Sequence, residues 1–234
     1  MSRLWRLAVM FDARDGDLDA LEADLVRVAE PVRRRTGGPV RLGLADRHPD
    51  LATATKSEYA TDQWRTVDGA VEITLRAPEP KDLEELSRAL AGLIAPMAEP
   101  GSVEVMAGPM FSMVPPRDGE AFLSLAFRRD PATTSAQFRS WWREQHAGVA
   151  IPVLGPGLLA YDQVHVEPEA SEAAARGFGV RPVAYDAYDN LTWADRYGYV
   201  ASISDVEGMA RIFRDEIGRI DDSTRRHALM RRVA

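Results

Sequence analysis

Apolar residues in the first half of the chain recur first at strand-like and then at helix-like spacing. Val71, Ile73 and Leu75 alternate with polar residues, as in a strand with one solvated face, whereas the leucines of residues 83–97 recur every three or four positions. The predicted elements are, in order, a strand over residues 4–11, a helix over 18–32, strands over 40–44 and 71–75, a helix over 83–97 and a strand that opens at Val103. This order is βαββαβ.

The second half repeats this order after Pro115-Pro116-Arg117-Asp118-Gly119, a sequence typical of a linker. The predicted elements are a strand over residues 122–129, a helix over 135–150, a strand over 158–166, a loop over 167–182, a strand beginning near Tyr185, a helix over 206–217 and a strand over 227–233. Each half alone would be a four-stranded antiparallel sheet covered by helices on one face. The other face of each sheet would then need a partner.

The helix over residues 135–150 carries the most distinctive residues of the chain. Thr134 and Gln137 form a capping box, which predicts that the helix starts there. The residues that share one face of this helix at a spacing of four are Phe138, Trp142 and His146, with Trp141 beside them. An ionisable ring is therefore predicted on an aromatic helix face.

The spacing from Phe138 to His146, F-x-x-[YW]-W-x-x-x-H after the strand FLSLAFRR, resembles the signature of the EthD-type family of dimeric α/β-barrel proteins. Three later segments agree with the family in order, namely LLAYDQVHV, YDNLTWAD and FRDEIGRIDD. The resemblance covers about the second half of the chain. It implies a ferredoxin-like fold and a small organic substrate, often aromatic or polyketide-like, but it does not imply one reaction.

The repeated order and the resemblance together predict an α+β protein of two ferredoxin-like repeats. The first, over residues 1–116, is degenerate, and the second, over residues 117–234, is EthD-like. Family members usually pair two such sheets by dimerising. Because this chain carries both halves, we expect an intramolecular, pseudo-dimeric α/β barrel. The first helix of the first half has no histidine and no tryptophan, so we expect one active site per chain.

Composition and charge restrict the partners of the chain. The 234 residues are 45% hydrophobic, which is typical of a soluble globular protein, and the net charge of -7 argues against a nucleic-acid surface. The N-terminal apolar run is too short for a signal peptide and no stretch could span a membrane, so a cytoplasmic location is expected. The chain has no cysteine and no nucleotide-binding or metal-binding motif, so no cofactor and no metal are expected.

His146 is the leading candidate for acid–base chemistry because imidazole titrates near neutral pH. Its predicted place near a helix C-terminus would favour the imidazolium. The alternative is a structural histidine that caps the helix or satisfies a buried hydrogen bond, and the family resemblance favours the functional role. Trp142 and Phe138 are predicted to line the substrate pocket, and Trp141, which points about 100 degrees away from Trp142, is predicted to pack in the core.

Two predicted strands carry rows of polar residues. These rows are Tyr161, Gln163 and His165 on one strand and Tyr188, Asn190 and Thr192 on the next. Each row could line the barrel interior or lie at a solvated sheet edge. In the first case Tyr161, His165 and Tyr188 could stabilise an oxyanion and return a proton, and Gln163 and Asn190 could bind substrate oxygens.

The acidic segment near the end of the chain contains Asp215, Glu216, Asp221 and Asp222. It has neither the calcium-loop spacing nor the HExxH spacing, so a solvated or capping role is expected at least as much as a metal site. Of the other histidines, His48 is expected to be exposed, and His227 is expected in a basic surface stretch.

We therefore expect a cofactor-free lyase, isomerase or cyclase, in which His146 removes a proton next to the carbonyl of a small apolar, aromatic or polyketide-like compound. The alternatives are a cofactor-independent monooxygenase of a phenolic substrate and a non-catalytic accessory protein that binds a small molecule. No nucleic-acid or membrane partner is expected, and pairing of pseudo-dimeric chains into a homodimer is left open. Pocket shape depends on the loops over residues 45–67 and 167–184, whose paths the sequence does not predict.

Overall fold

The computed structural model describes residues 4–49, 51 and 65–233. Most of the predicted loop over residues 45–67 lies outside the described residues. The strands are β1 (Leu4–Phe11), β2 (Val40–Ala45), β3 (Arg65–Thr66), β4 (Gly69–Arg76), β5 (Glu104–Val114), β6 (Ala121–Arg129), β7 (Leu158–His165), β8 (Ala187–Trp193) and β9 (Ile220–Arg232). The helices are α1 (Leu18–Thr36), α2 (Pro80–Ile94), α3 (the consecutive segments Ser135–Trp141, Trp142–His146 and Ala147–Leu154), α4 (Pro168–Phe178), α5 (Arg196–Ile203) and α6 (Val206–Glu216).

Eight antiparallel strands close into a barrel in the order β2-β4-β1-β5-β7-β8-β6-β9, and β9 pairs back with β2. The first four strands come from the first half of the chain and the other four from the second. The predicted pseudo-dimeric α/β barrel is therefore confirmed. The two sheets also share backbone hydrogen bonds at both junctions, β5 with β7 and β2 with β9, which removes their free edges.

Side chains alternate between the inside of the barrel and the helices outside it, as the pleat of a strand requires. Along β1, Leu7 and Val9 belong to the core beneath α1 and α2, whereas Ala8 and Met10 belong to the core that fills the barrel. The same alternation in the second half decides which polar side chains can meet helix α3.

The predicted loop over residues 167–182 is wrong, because it contains helix α4. Ala170, Ala174 and Phe178 of α4 join the core of the first half, so a helix of the second half covers the first. Gly177 makes this contact close, since a Cβ there would lie 2.3 Å from the carbonyl oxygen of Glu84 on α2. The sequence does contain the usual marks of a short helix, a proline at its start and a glycine, Gly179 with φ 70°, after its end.

Two strand boundaries and one helix in the second half also differ from the predictions. Strand β9 begins at Ile220 instead of residue 227, β8 begins at Ala187, and helix α5 was not predicted. The longer β9 brings Arg225 to Glu216 at the end of α6, next to the site described below. Among the described residues, every helix is too short or too polar to cross a membrane.

Candidate functional site

Helix α3 begins as its sequence predicts but contains an irregular turn. The backbone nitrogen of Gln137 donates to Thr134 Oγ1 (3.3 Å), and the backbone nitrogen of Thr134 donates to Gln137 Oε1 (3.0 Å), which confirms the capping box. Residues Trp142–His146 form a π-helical turn, and the helix then continues to Leu154. His146 thus lies in the middle of the helix, so the predicted influence of a helix C-terminus is wrong. Single π turns inside α-helices occur frequently at functional sites.

The π turn changes the aromatic neighbour of His146. Because the turn holds one extra residue, the ring of Trp141 lies 5.0 Å from that of His146. Trp142 lies instead 5.0 Å from the ring of His165 and 5.6 Å from that of Phe138. Trp142 and Phe138, the predicted pocket residues, are fully buried in the core beneath α3, and the tryptophan beside the histidine is Trp141.

His146 is held by two carboxylates from the end of α6. Its ring is 4% exposed, with Nδ1 2.9 Å from Asp215 Oδ2 and Nε2 3.7 Å from Glu216 Oε1. The indole nitrogen of Trp141 donates to the other oxygen of Asp215 (3.5 Å). Glu216 also accepts from the buried guanidinium of Arg225 on β9 (2.6 Å). The acidic segment therefore supplies the partners of the histidine.

These partners set the charge of the imidazole. Burial alone would lower the pKa of His146, but the hydrogen bond to Asp215 and the charges of Glu216 and Asp215 outweigh it and raise the pKa above 6.5. The same hydrogen bond lowers the pKa of Asp215. Both shifts favour the pair in which the ring is an imidazolium and Asp215 is a carboxylate. Once it loses its proton, the ring is a stronger base than free imidazole.

A second ionisable group, Asp189, faces the same site from β8. Burial raises the pKa of Asp189 to about 8. The charge of Glu216 adds to this rise, whereas the charges of His146 and Arg225 and a hydrogen bond with Tyr161 reduce it. Asp189 is therefore mostly a neutral carboxylic acid at pH 7. Burial raises the pKa of Tyr161 far above 10, so its hydroxyl stays protonated.

The polar row of β7 points outward, toward α3, and lies neither in the barrel interior nor at a solvated edge. Gln163 Nε2 donates to the carbonyl oxygen of Trp142 (2.9 Å) and to the hydroxyl of Tyr161 (3.0 Å). His165 stacks on Trp142. The structure thus brings Tyr161 to the group around His146, whereas Gln163 and His165 support the helix.

The polar row of β8 points the other way, into the barrel. Tyr188 donates to the carboxylate of Glu72, and Arg41 donates to Asn190 and to Thr192 Oγ1 (2.9 Å). Since Tyr188 and Asn190 lie on the opposite face of the sheet from Tyr161, the predicted site residues divide into two groups. Tyr188 and Asn190 therefore lie on the side of the sheet that faces away from His146.

The other two histidines, His48 and His227, differ in their exposure. His48 is exposed as predicted, but the surface location predicted for His227 is wrong, because it is half-buried on β9, where burial and the charge of Arg225 lower its pKa to about 4. Among the residues the structure describes, no group of three or more histidine, aspartate or glutamate side chains could hold a metal ion.

Two members of the site, Asp189 and Arg225, were not predicted from the sequence. A charged residue in the middle of a strand that is otherwise buried is unusual and could have identified Asp189. Arg225 lies in a stretch rich in charged residues, and nothing in its sequence context marks it.

The described site lies within one segment of the chain, from α3 to the start of β9. The EthD domain model matches residues 130–223 of this segment. Residues 130–223 are therefore similar to the EthD domain family. His146, Asp189, Asp215 and Glu216 all lie within the matched residues, and Arg225 follows two residues after them. No curated protein sequence matches the chain significantly.

Solved structures with the same fold cover nearly the whole chain. An anthrone oxidase-like protein aligns with a TM-score of 0.58 at 10% sequence identity and covers 100% of this chain and 92% of its own. A protein from Lactobacillus acidophilus NCFM named as a candidate monooxygenase aligns with a TM-score of 0.56 at 10% identity, covering 100% of this chain and 95% of its own. A mutant chlorite dismutase from Candidatus Nitrospira defluvii aligns with a TM-score of 0.53 at 11% identity, covering 98% of this chain and 91% of its own. At these identities, the similarity shows the shared barrel fold alone.

Proposed function

We propose that this protein is a cofactor-independent acid–base enzyme of the lyase, isomerase or cyclase type. In this proposal His146 removes a proton next to the carbonyl of a small, flat, largely apolar compound. The observation that carries it is the 2.9 Å contact between His146 Nδ1 and Asp215 Oδ2 at a buried, aromatic position. A histidine oriented by a carboxylate is the usual arrangement of a catalytic base.

The geometry leaves one ring nitrogen for the substrate. Asp215 accepts a hydrogen bond from Nδ1–H and so favours the tautomer whose lone pair is on Nε2. The distance from Nε2 to Glu216, 3.7 Å, is longer than a hydrogen bond. Nε2 is therefore the atom that takes the proton, and the carboxylate of Asp215 stabilises the imidazolium that forms.

The surroundings of His146 favour an apolar substrate. Ala150 lies one turn further along α3, Ile212 lies one turn before Glu216 on α6, and Leu191 lies two residues after Asp189 on the same face of β8. All three belong to one buried apolar cluster. A highly charged substrate would lose its hydration there without compensation, whereas an aromatic ketone would bury its rings favourably.

A second candidate function is a cofactor-independent oxygenase, supported by the names of two proteins of the same fold, one anthrone oxidase-like and one a candidate monooxygenase. Proton removal would be the same first step, and the resulting enolate would then react with dioxygen. For anthrone, the overall reaction gives anthraquinone and water. Anthrone is therefore a probe for both functions, because its C9 carbonyl acidifies the C10 protons through the conjugated rings and the two outcomes differ.

The test follows anthrone with and without oxygen. Under argon in D2O, NMR measures how fast the C10 protons exchange above the buffer rate, for the parent chain, for His146→Gln and for the exposed-histidine control His48→Gln. We expect His146→Gln to lose about a hundred- to ten-thousand-fold in rate and the control to match the parent. Exchange by folded His146→Gln at the parent rate would contradict the proposal. Oxygen uptake with anthraquinone formation in air would identify the oxygenase, and binding without faster exchange would identify the accessory protein.

A further inference from the structure

The carboxyl group of Asp189 is buried close enough to His146 for the charge of the imidazolium to act on it. Asp189 is 5% exposed, and its Oδ1 has no hydrogen-bond partner among the described residues. Buried polar atoms are almost always paired, so an unpaired carboxyl oxygen requires an explanation. The strand directs this side chain toward α3, because its neighbours Tyr188 and Asn190 point into the barrel.

We propose that Asp189 is the general acid of this site, which donates its proton to the substrate carbonyl oxygen while His146 removes a proton from the carbon that this carbonyl acidifies. The proposal rests on the function proposed above and adds the second proton-transfer group. The unpaired Oδ1 is the position at which the substrate oxygen would complete the hydrogen bonding of the site.

The step balances without any further reactant. The C–H bond breaks, its proton goes to His146 Nε2, and its electron pair forms the carbon–carbon double bond of the enol. The carbonyl oxygen takes the proton of Asp189, which becomes a carboxylate. The imidazolium and the new carboxylate together hold as many protons as the starting pair, and transfer of one proton from the imidazolium to the carboxylate restores both groups.

The titratable groups that face Asp189 support this role. They are His146 from α3, Tyr161 from β7, Glu216 from α6, and Arg225 and the neutral His227 from β9. Glu216 raises the pKa of Asp189 and Arg225 lowers it, and these two side chains form an ion pair of 2.6 Å. Because their effects on Asp189 oppose each other, burial is the largest influence, and it keeps the carboxyl protonated with a pKa of about 8.

The test measures anthrone exchange between pH 5 and 10 for the parent, Asp189→Asn and the matched control Asp186→Asn. Asp186 pairs with Arg129 at the partly exposed start of β8. In the parent, the rate should rise above pH 6.5 as His146 loses its proton and fall again near pH 8 as Asp189 loses its own. Asp189→Asn should lose the fall near pH 8 and at least a hundred-fold of the maximal rate, and Asp186→Asn should keep the parent profile.

Two results would overturn the proposal without touching the role of His146. One is an Asp189→Asn variant with the parent rate and the parent fall near pH 8, while His146→Gln is inactive. The other is the absence of a protonated-carboxyl band from the infrared spectrum of the parent at pH 7, a measurement that needs no substrate. The proposal predicts that this band is present in the parent, disappears on titration through pH 8 and is missing in Asp189→Asn. Inactivity of the parent toward anthrone would instead be a failure of the function proposed for His146.

Discussion

At the scale of residues, the site is a small set of buried groups that hold protons more tightly than they would in water. His146 and Asp189 both have raised pKa values, for different reasons: carboxylate partners raise the first and burial raises the second. A pair of groups whose environments assign one as the base and the other as the acid is the usual arrangement for proton transfer at carbon.

The raised pKa of Asp189 predicts how stability depends on pH. Between its unfolded value of 3.8 and about 8, the native state binds a proton that the unfolded state has lost, so the free energy of unfolding decreases as pH rises. From pH 6.5 to 8 this contribution amounts to about 2 kcal/mol. Urea unfolding at both values should show a loss in the parent that is about 2 kcal/mol larger than in Asp189→Asn. Equal losses in the two proteins would mean that Asp189 is ionised in the native state.

At the scale of elements, helices are the parts that bring distant residues to the site. Helix α3 was predicted from its capping box and its aromatic spacing, because both are local. The π turn could not be predicted, since inserting one residue leaves the apolar pattern on either side intact. The contact between His146 and Asp215 joins residues 69 positions apart and depends on how α6 packs, which spacing along the chain does not encode.

The packing of α4 on α2 is the element-scale contact that ties the two halves together on the outside of the barrel. Gly177→Ala would place a methyl group 2.3 Å from the carbonyl oxygen of Glu84, so the helices must separate. We expect this variant to lose about 1 to 3 kcal/mol of unfolding free energy. Gly92→Ala on α2 is the matched control. It meets nothing within 4 Å and should gain about 0.5 to 1 kcal/mol from helix propensity. Calorimetry that finds both variants unchanged would contradict this packing.

At the scale of the whole molecule, a buried ionic network inside the barrel joins the halves. Glu72 from β4 accepts from Arg41 (2.6 Å) and Arg6 (3.2 Å) of the first half and from Tyr188 of the second, while Arg6 also pairs with Asp162 of β7 (3.1 Å). Burial would raise the pKa of Glu72, but the two arginines and the Tyr188 hydrogen bond outweigh it and lower the pKa. The barrel could be predicted from the repeated strand order, but this network could not, because it pairs residues from strands of both halves.

Removing the charge of Glu72 should weaken the whole barrel. In Glu72→Gln, Arg6 and Arg41 would keep their positive charges in the interior with less negative charge to compensate, at a cost of about 3 kcal/mol or more of unfolding free energy. Glu85→Gln, on the exposed face of α2, should change stability by less than about 0.5 kcal/mol. Denaturant unfolding measures both. A Glu72→Gln protein as stable as the parent would show that the network does not hold the halves together.

The central claim is that Asp215 holds His146 as a strong base in a buried site. NMR titration of the imidazole, assigned with His146→Gln, measures this directly and needs no substrate. The predicted pKa of His146 lies above 6.5 in the parent and falls when Asp215→Asn removes the carboxylate charge. A pKa at or below 6.5 that Asp215→Asn leaves unchanged would contradict it.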